Sequence, residues 1–237
     1  MVRYRKKQRR KESGSKKMGP AIRQMITELV KLSDEQWGSY AFCHEPLERK
    51  FTAEQKKEYT RRAIACGERE GELFESIRGV QTVEDAAIRQ GLKIQTPDVP
   101  SGGGHVLFAQ YVEPDEITVF MDCVKKAEKL IEEENLQSEL AGVRIYDLLL
   151  AHELFHYIEH QKEDAIYTQT EKIELWRKPF SNRSRIICLS EIAAMAFAKK
   201  VVRLPYSPYV MDVLLMYSYN EEAAAALYEE IMEVCKE

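Results

Sequence analysis

Residues 149–160 read LLAHELFHYIEH, and the choice between a metal-binding helix and an ordinary core helix here decides the fold. Successive residues of an α-helix turn by about 100°, so positions four apart lie on one face, one turn apart. His152 and His156 therefore present two imidazoles to the same side, with Glu153 beside them. An H-E-x-x-H pattern supplies two metal ligands and a carboxylate placed to take a proton from water. The plainer alternative is a histidine pair hydrogen-bonded inside a core, because five letters also match by chance.

A catalytic zinc site needs a third protein ligand and an open position. His160 is unsuitable, since it lies two turns from His152, about 12 Å of helical rise. Metzincins break the helix at a glycine and place a third histidine beyond it. The matching positions here are Glu159 and Lys162, so that arrangement is absent. His160 is expected next to the site or simply at the helix end. Glu191 is the expected third ligand, in CLSEIAAMAFAKKVVRLP at 188–205. It opens an apolar helix whose Ala194, Met195, Ala198 and Val202 share its face, and small alanines would let this helix approach the His152 helix. A buried carboxylate there needs a partner, and a cation is one. The bland reading of Glu191 is a carboxylate facing the helix N-terminal dipole. Two histidines and one glutamate form the ligand set of glutamate-ligand zincins, and they favour zinc over manganese or iron.

The surrounding chain has 237 residues, with 44% apolar and 31% charged side chains, enough for a sizeable core in a soluble domain. No apolar run nears the roughly 20 residues that span a bilayer, and no apolar signal-peptide core stands at the N-terminus. Five scattered cysteines without a CxxC pair suggest reduced thiols and a cytoplasmic location, not a structural zinc site. The net charge of −4 conceals an asymmetry: residues 1–17 carry nine Lys/Arg against one Glu, and the remainder 26 basic against 38 acidic residues. Residues 1–19 are therefore expected to be a basic, disordered tail, with 20–237 forming one domain. The tail is the one segment suited to nucleic-acid contact.

Apolar spacing predicts helices over 21–32, 53–78, 82–91, 123–134, 143–162, 188–203, 210–218 and 220–236. Thr52 and Gln55 are placed for a capping box, and Gly91 to close the short helix before it. HVLFAQYV (105–112) and ITVFMD (117–122) read as a hairpin. The segment before them is turn-rich and opens on a short strand, and 163–187 reads as polar and irregular. The fold class is α+β, mostly helical, with a small antiparallel sheet near the His152 helix.

These motifs together resemble the ImmA/IrrE-type metallopeptidases. That family has a strand, a helix with H-E-x-x-H and often a following His, then a helix with Glu, Ala, Phe-Ala, two aliphatics and Pro. The positions here are His152, Glu153, His156 and His160, then Glu191, Ala194, Phe197, Ala198, Val201, Val202 and Pro205. The resemblance spans roughly residues 55–210, including TVEDAAIRQGLKI at 82–94. The chain departs from the pattern at Phe155, commonly Gly, and at Met195, commonly Asn. The 35 residues from His156 to Glu191 also form a longer gap, leaving room for an insertion over the cleft. The resemblance implies a zincin-like fold and a zinc-dependent endopeptidase. His152, His156 and Glu191 would be its ligands and Glu153 its general base, and the substrate a protein or peptide such as a repressor. Tyr157, Tyr206 and Tyr209 are candidate helpers at the oxyanion, with ring packing the plainer role. The rivals are a non-catalytic regulatory or toxin-associated protein on the same scaffold, and a DNA-binding factor using residues 1–17.

Overall fold

A computed structural model describes residues 21–76, 82–99, 107–176 and 182–236. The expected basic tail, 1–19, lies outside the described residues.

The centre of the molecule is α6, Ile145–Gln161. Leu148 to Phe155 are buried without a break, as expected of a helix that is apolar on every side and packed all round. Its neighbours include α4 (Val83–Arg89), α5 (Met121–Glu133), α8 (Cys188–Val201) and a small sheet. The sheet consists of β1 (Lys93–Gln95), β2 (Ala109–Val112) and β3 (Glu116–Val119), in the order β1-β3-β2. The expected hairpin is present: β2 and β3 pair antiparallel, with Tyr111 opposite Ile117. The expected all-antiparallel sheet is corrected, because β1 pairs parallel with β3, Ile94 opposite Ile117. After β1 the chain crosses to the far side before returning through β2, so the two outer strands never meet and β3 lies between them.

Side-chain caps mark several of the helix starts. Thr52 and Gln55 make the capping box of α3, Ala53–Glu75, and Thr82 caps α4. Gly91, at φ +84°, lets the Leu92 N–H turn back to Ala87 O at 3.1 Å. Before α3 come α1 (Ile22–Leu29) and α2 (Asp34–Cys43). Helix α2 was not expected from the sequence; Ser33 and Gln36 close a capping box at its start. The segment expected to be irregular contains α7 (Tyr167–Thr170) and a hairpin of β4 (Lys172–Trp176) with β5 (Asn182–Arg185). The chain ends in α9 (Val210–Tyr217) and α10 (Glu221–Val234). No helix among the described residues is long and apolar enough to cross a membrane.

Two contacts fix α8. Phe197 places its ring against Phe155 of α6 and Phe74 of α3, each with centroids 5.7 Å apart, so one side chain joins three helices. Phe155, a departure from the ImmA/IrrE pattern, is thus a packing residue here. On the α3 side, a Cβ at Gly67 would lie 2.1 Å from Ala193 O. The clash is with backbone and cannot be relieved by a rotamer change. Gly67→Ala should therefore lower stability by about 1–3 kcal/mol or more, read as a fall in the denaturation midpoint. Wild-type stability in that variant would contradict the close packing of α3 on α8.

Candidate metal centre

His152 and His156 project from one side of α6, with their Nε2 atoms 3.1 Å apart. From the first turn of α8, Glu191 brings one carboxylate oxygen to 3.5 Å from His152 Nε2 and the other to 3.8 Å from His156 Nε2. Donor atoms of all three residues lie within 4.8 Å of one another, a group that could hold a metal ion. For comparison, a tetrahedron with zinc–nitrogen bonds of 2.0–2.1 Å has an edge of about 3.3 Å. The imidazole pair adds a chemical constraint: two ring nitrogens at this separation cannot both aim bare lone pairs at each other. A proton or a cation must stand between them. The His152 side chain is 2% exposed, His156 18% and Glu191 36%, so solvent reaches the group from the Glu191 side.

Glu191 stands in the first turn of α8, where the helix dipole favours its charge as the imidazoles do. The N-terminus of α8 is served by Glu45, a buried residue far back in the chain, which accepts the Cys188 N–H at 3.0 Å. Glu191 faces the imidazoles.

Glu153 is 5% exposed and its Oε2 accepts the Tyr111 N–H at 2.8 Å. Tyr111 lies on β2, the outer strand beside α6, so the carboxylate sits where the strand edge meets the histidine pair. His160 does not join the group. Its Nδ1 lies 3.6 Å from Glu113, and its ring leans on Tyr111. Two of the candidate tyrosine hydroxyls serve backbone carbonyls: Tyr157 donates to Gln90 O and Tyr206 to Leu140 O. Tyr209 is buried and stacks on Trp37 with centroids 5.5 Å apart.

Residues that the sequence did not single out complete the surroundings. Glu159 is buried, 6% exposed, and its Oε2 lies 3.6 Å from His156 Nδ1. It accepts hydroxyl protons from Ser190 at 2.6 Å and from Thr168 of α7. Ser190 Oγ is itself 3.3 Å from His156 Nδ1. The one legible signal was spacing: Glu159 follows His156 by three positions, on the same side of the helix.

Charge is distributed unevenly across this group. Burial pushes the His152 imidazole below its usual range, against the pull of Glu191. Burial also acts against charge on His156, but Glu159, Glu191 and Glu153 outweigh it and hold that imidazole above its usual range. Burial would raise the carboxyls of Glu159 and Glu191. Imidazole and hydroxyl neighbours hold Glu159 below the ordinary carboxylate value, and the imidazoles pull Glu191 the same way. Without an ion, His156 therefore takes a second proton more readily than His152, and metal binding would displace it.

No protein-family model, curated protein or solved structure matches the chain.

Beneath the group, Asp212 of α9 is 5% exposed. Burial, assisted by Glu191, pushes its carboxyl up to about 7. The folded state thus binds this proton more tightly than the unfolded chain, whose carboxyl titrates near 3.9. Stability from this residue is full below about pH 4 and is lost as pH rises toward 7. In the metal-free protein, Asp212→Asn should flatten that decline, by at most about 4 kcal/mol above pH 7, and leave stability unchanged near pH 4. Denaturant titrations at several pH values check it; parallel curves for the two proteins would contradict it.

Proposed function

We propose that the chain is a zinc-dependent peptidase in which His152, His156 and Glu191 hold the ion and Glu153 is the general base. The observation that carries this reading is the convergence of two Nε2 atoms and one carboxylate, 3.1–3.8 Å apart, with a second carboxylate at the adjoining strand edge. Two imidazoles and a carboxylate are the donors that zinc accepts in hydrolases, and the solvent-facing side leaves room for water and substrate. When bound, the ion would polarise the scissile carbonyl and acidify an attacking water. The resemblance to ImmA/IrrE-type metallopeptidases supports the same assignment and suggests a protein substrate, such as a repressor, by analogy alone.

The work of the chain's own residues follows from their placement. Glu153 Oε2 is held by the Tyr111 amide, which leaves Oε1 to take a proton as water adds to the peptide carbonyl. The same oxygen returns that proton to the amine nitrogen as the carbon–nitrogen bond breaks. Water is consumed, and one acid and one amine are released.

A non-catalytic reading has one observation in its favour: Glu153 also pins α6 to β2 through the Tyr111 amide. Glu153→Gln separates the two, since its amide oxygen still accepts the Tyr111 N–H but cannot take a proton. The zinc-loaded variant should keep its thermal stability and its metal, and lose about 10²–10⁴-fold in peptide hydrolysis, measured on a mixed-peptide library by mass spectrometry. Equal cleavage by wild type and variant would contradict the role of Glu153, and no cleavage by zinc-loaded wild type would favour the binding-protein reading.

A further inference from the structure

We infer that Glu159 is a positioning residue, which fixes His156 as the Nδ1–H tautomer so that Nε2 faces His152 and Glu191 with its lone pair. The inference rests on the metal reading for its consequence, but its geometry stands alone.

A serine hydroxyl has one proton to give. Ser190 gives it to Glu159 Oε2, at 2.6 Å, so the Ser190 oxygen facing His156 Nδ1 at 3.3 Å can only accept. Glu159 Oε2, 3.6 Å from the same nitrogen, accepts only. Both groups facing Nδ1 therefore call for an N–H there. An imidazole with its proton on Nδ1 has a free pair on Nε2, which is what a ligand needs. Carboxylates that accept the distal N–H of a metal-binding histidine commonly set its tautomer and ring orientation.

Glu159 is itself held, because Thr168 of α7 donates to its other oxygen. This gives the long segment between His156 and Glu191 a role: it returns a hydroxyl to the back of the site. A purely structural clamp between α6, α7 and α8 would explain the Thr168 and Ser190 contacts. It would not explain why Ser190 and the carboxylate both face the imidazole nitrogen pointing away from the candidate ion.

Glu159→Gln is the decisive change. The side-chain amide donates to Ser190, whose hydroxyl is then free to donate to His156 Nδ1, and the ring proton moves to Nε2. The test uses the full chain, first metal-free at a pH high enough for neutral imidazoles, with ¹⁵N-labelled histidine read by long-range ¹H–¹⁵N correlation. Wild type should show His156 protonated at Nδ1, and Glu159→Gln should shift population to Nε2–H. Thr168→Val, which loosens the clamp without touching the imidazole, should leave the tautomer unchanged. Zinc affinity, measured by chelator competition, should fall about 10–100-fold in Glu159→Gln. An Nε2–H tautomer in wild type overturns the inference even if the variant fails to fold. So does a Glu159→Gln protein with wild-type tautomer and zinc affinity. If wild type binds no zinc yet shows the tautomer shift, the positioning role holds and the metal reading fails.

Discussion

Two imidazole nitrogens 3.1 Å apart, one on a ring almost wholly removed from water, require a shared proton or a cation between them. Much of the surrounding structure meets that requirement. Three carboxylates, those of Glu153, Glu159 and Glu191, act on His156, and each is held in place by something other than solvent. Glu153 takes a strand amide, Glu159 two hydroxyls, and Glu191 faces the rings directly. Placing so many acidic groups around two buried rings is costly unless a cation offsets it. A proton on His156 does so in part, and a divalent ion would do so more fully.

The helical frame keeps these groups from relaxing apart. Helix α8 cannot drift away from α3, because Gly67 admits the Ala193 carbonyl where any side chain would collide. Phe197 wedges between α3 and α6, so the spacing of α8 from α6 is set by an aromatic contact about two turns along from Glu191. Glu45 accepts the first amide of α8 in a buried contact, while the Glu191 carboxylate faces the imidazoles. Small residues and one ring thus fix a distance that the ligands need to within about half an ångström.

How far the sequence revealed this depended on the range of each interaction. His152 and His156 were legible because their relation is local, one helical turn. Glu191 was legible as an acidic residue opening an Ala-rich helix, although nothing local says which neighbour that helix meets; its tightest contact is with α3, by way of Gly67, as well as with α6. The hairpin of β2 and β3 was legible from two apolar runs around a turn. Strand β1 reads as a strand, but its parallel pairing with β3 depends on a crossing that no local pattern records. Helix α2 was missed although Trp37, Tyr40 and Ala41 stand at i, i+3 and i+4, because the run is short and Gly38 and Phe42, also buried, blur the stripe. Glu159 carried only an i,i+3 relation to His156. Its partners Ser190 and Thr168 come from other helices, one of them inside a segment whose polar composition reads as irregular.

The central claim is that His152, His156 and Glu191 together hold one metal ion. Its most direct test is the zinc content of the full chain after stripping with chelator, reloading and dialysis, for wild type, His156→Ala and Glu191→Ala. The account predicts about one zinc per wild-type chain, as a single site requires, and marked loss of zinc from both variants. A wild-type chain that retains no zinc, or variants that retain it equally, would contradict it and leave LLAHELFHYIEH a core helix.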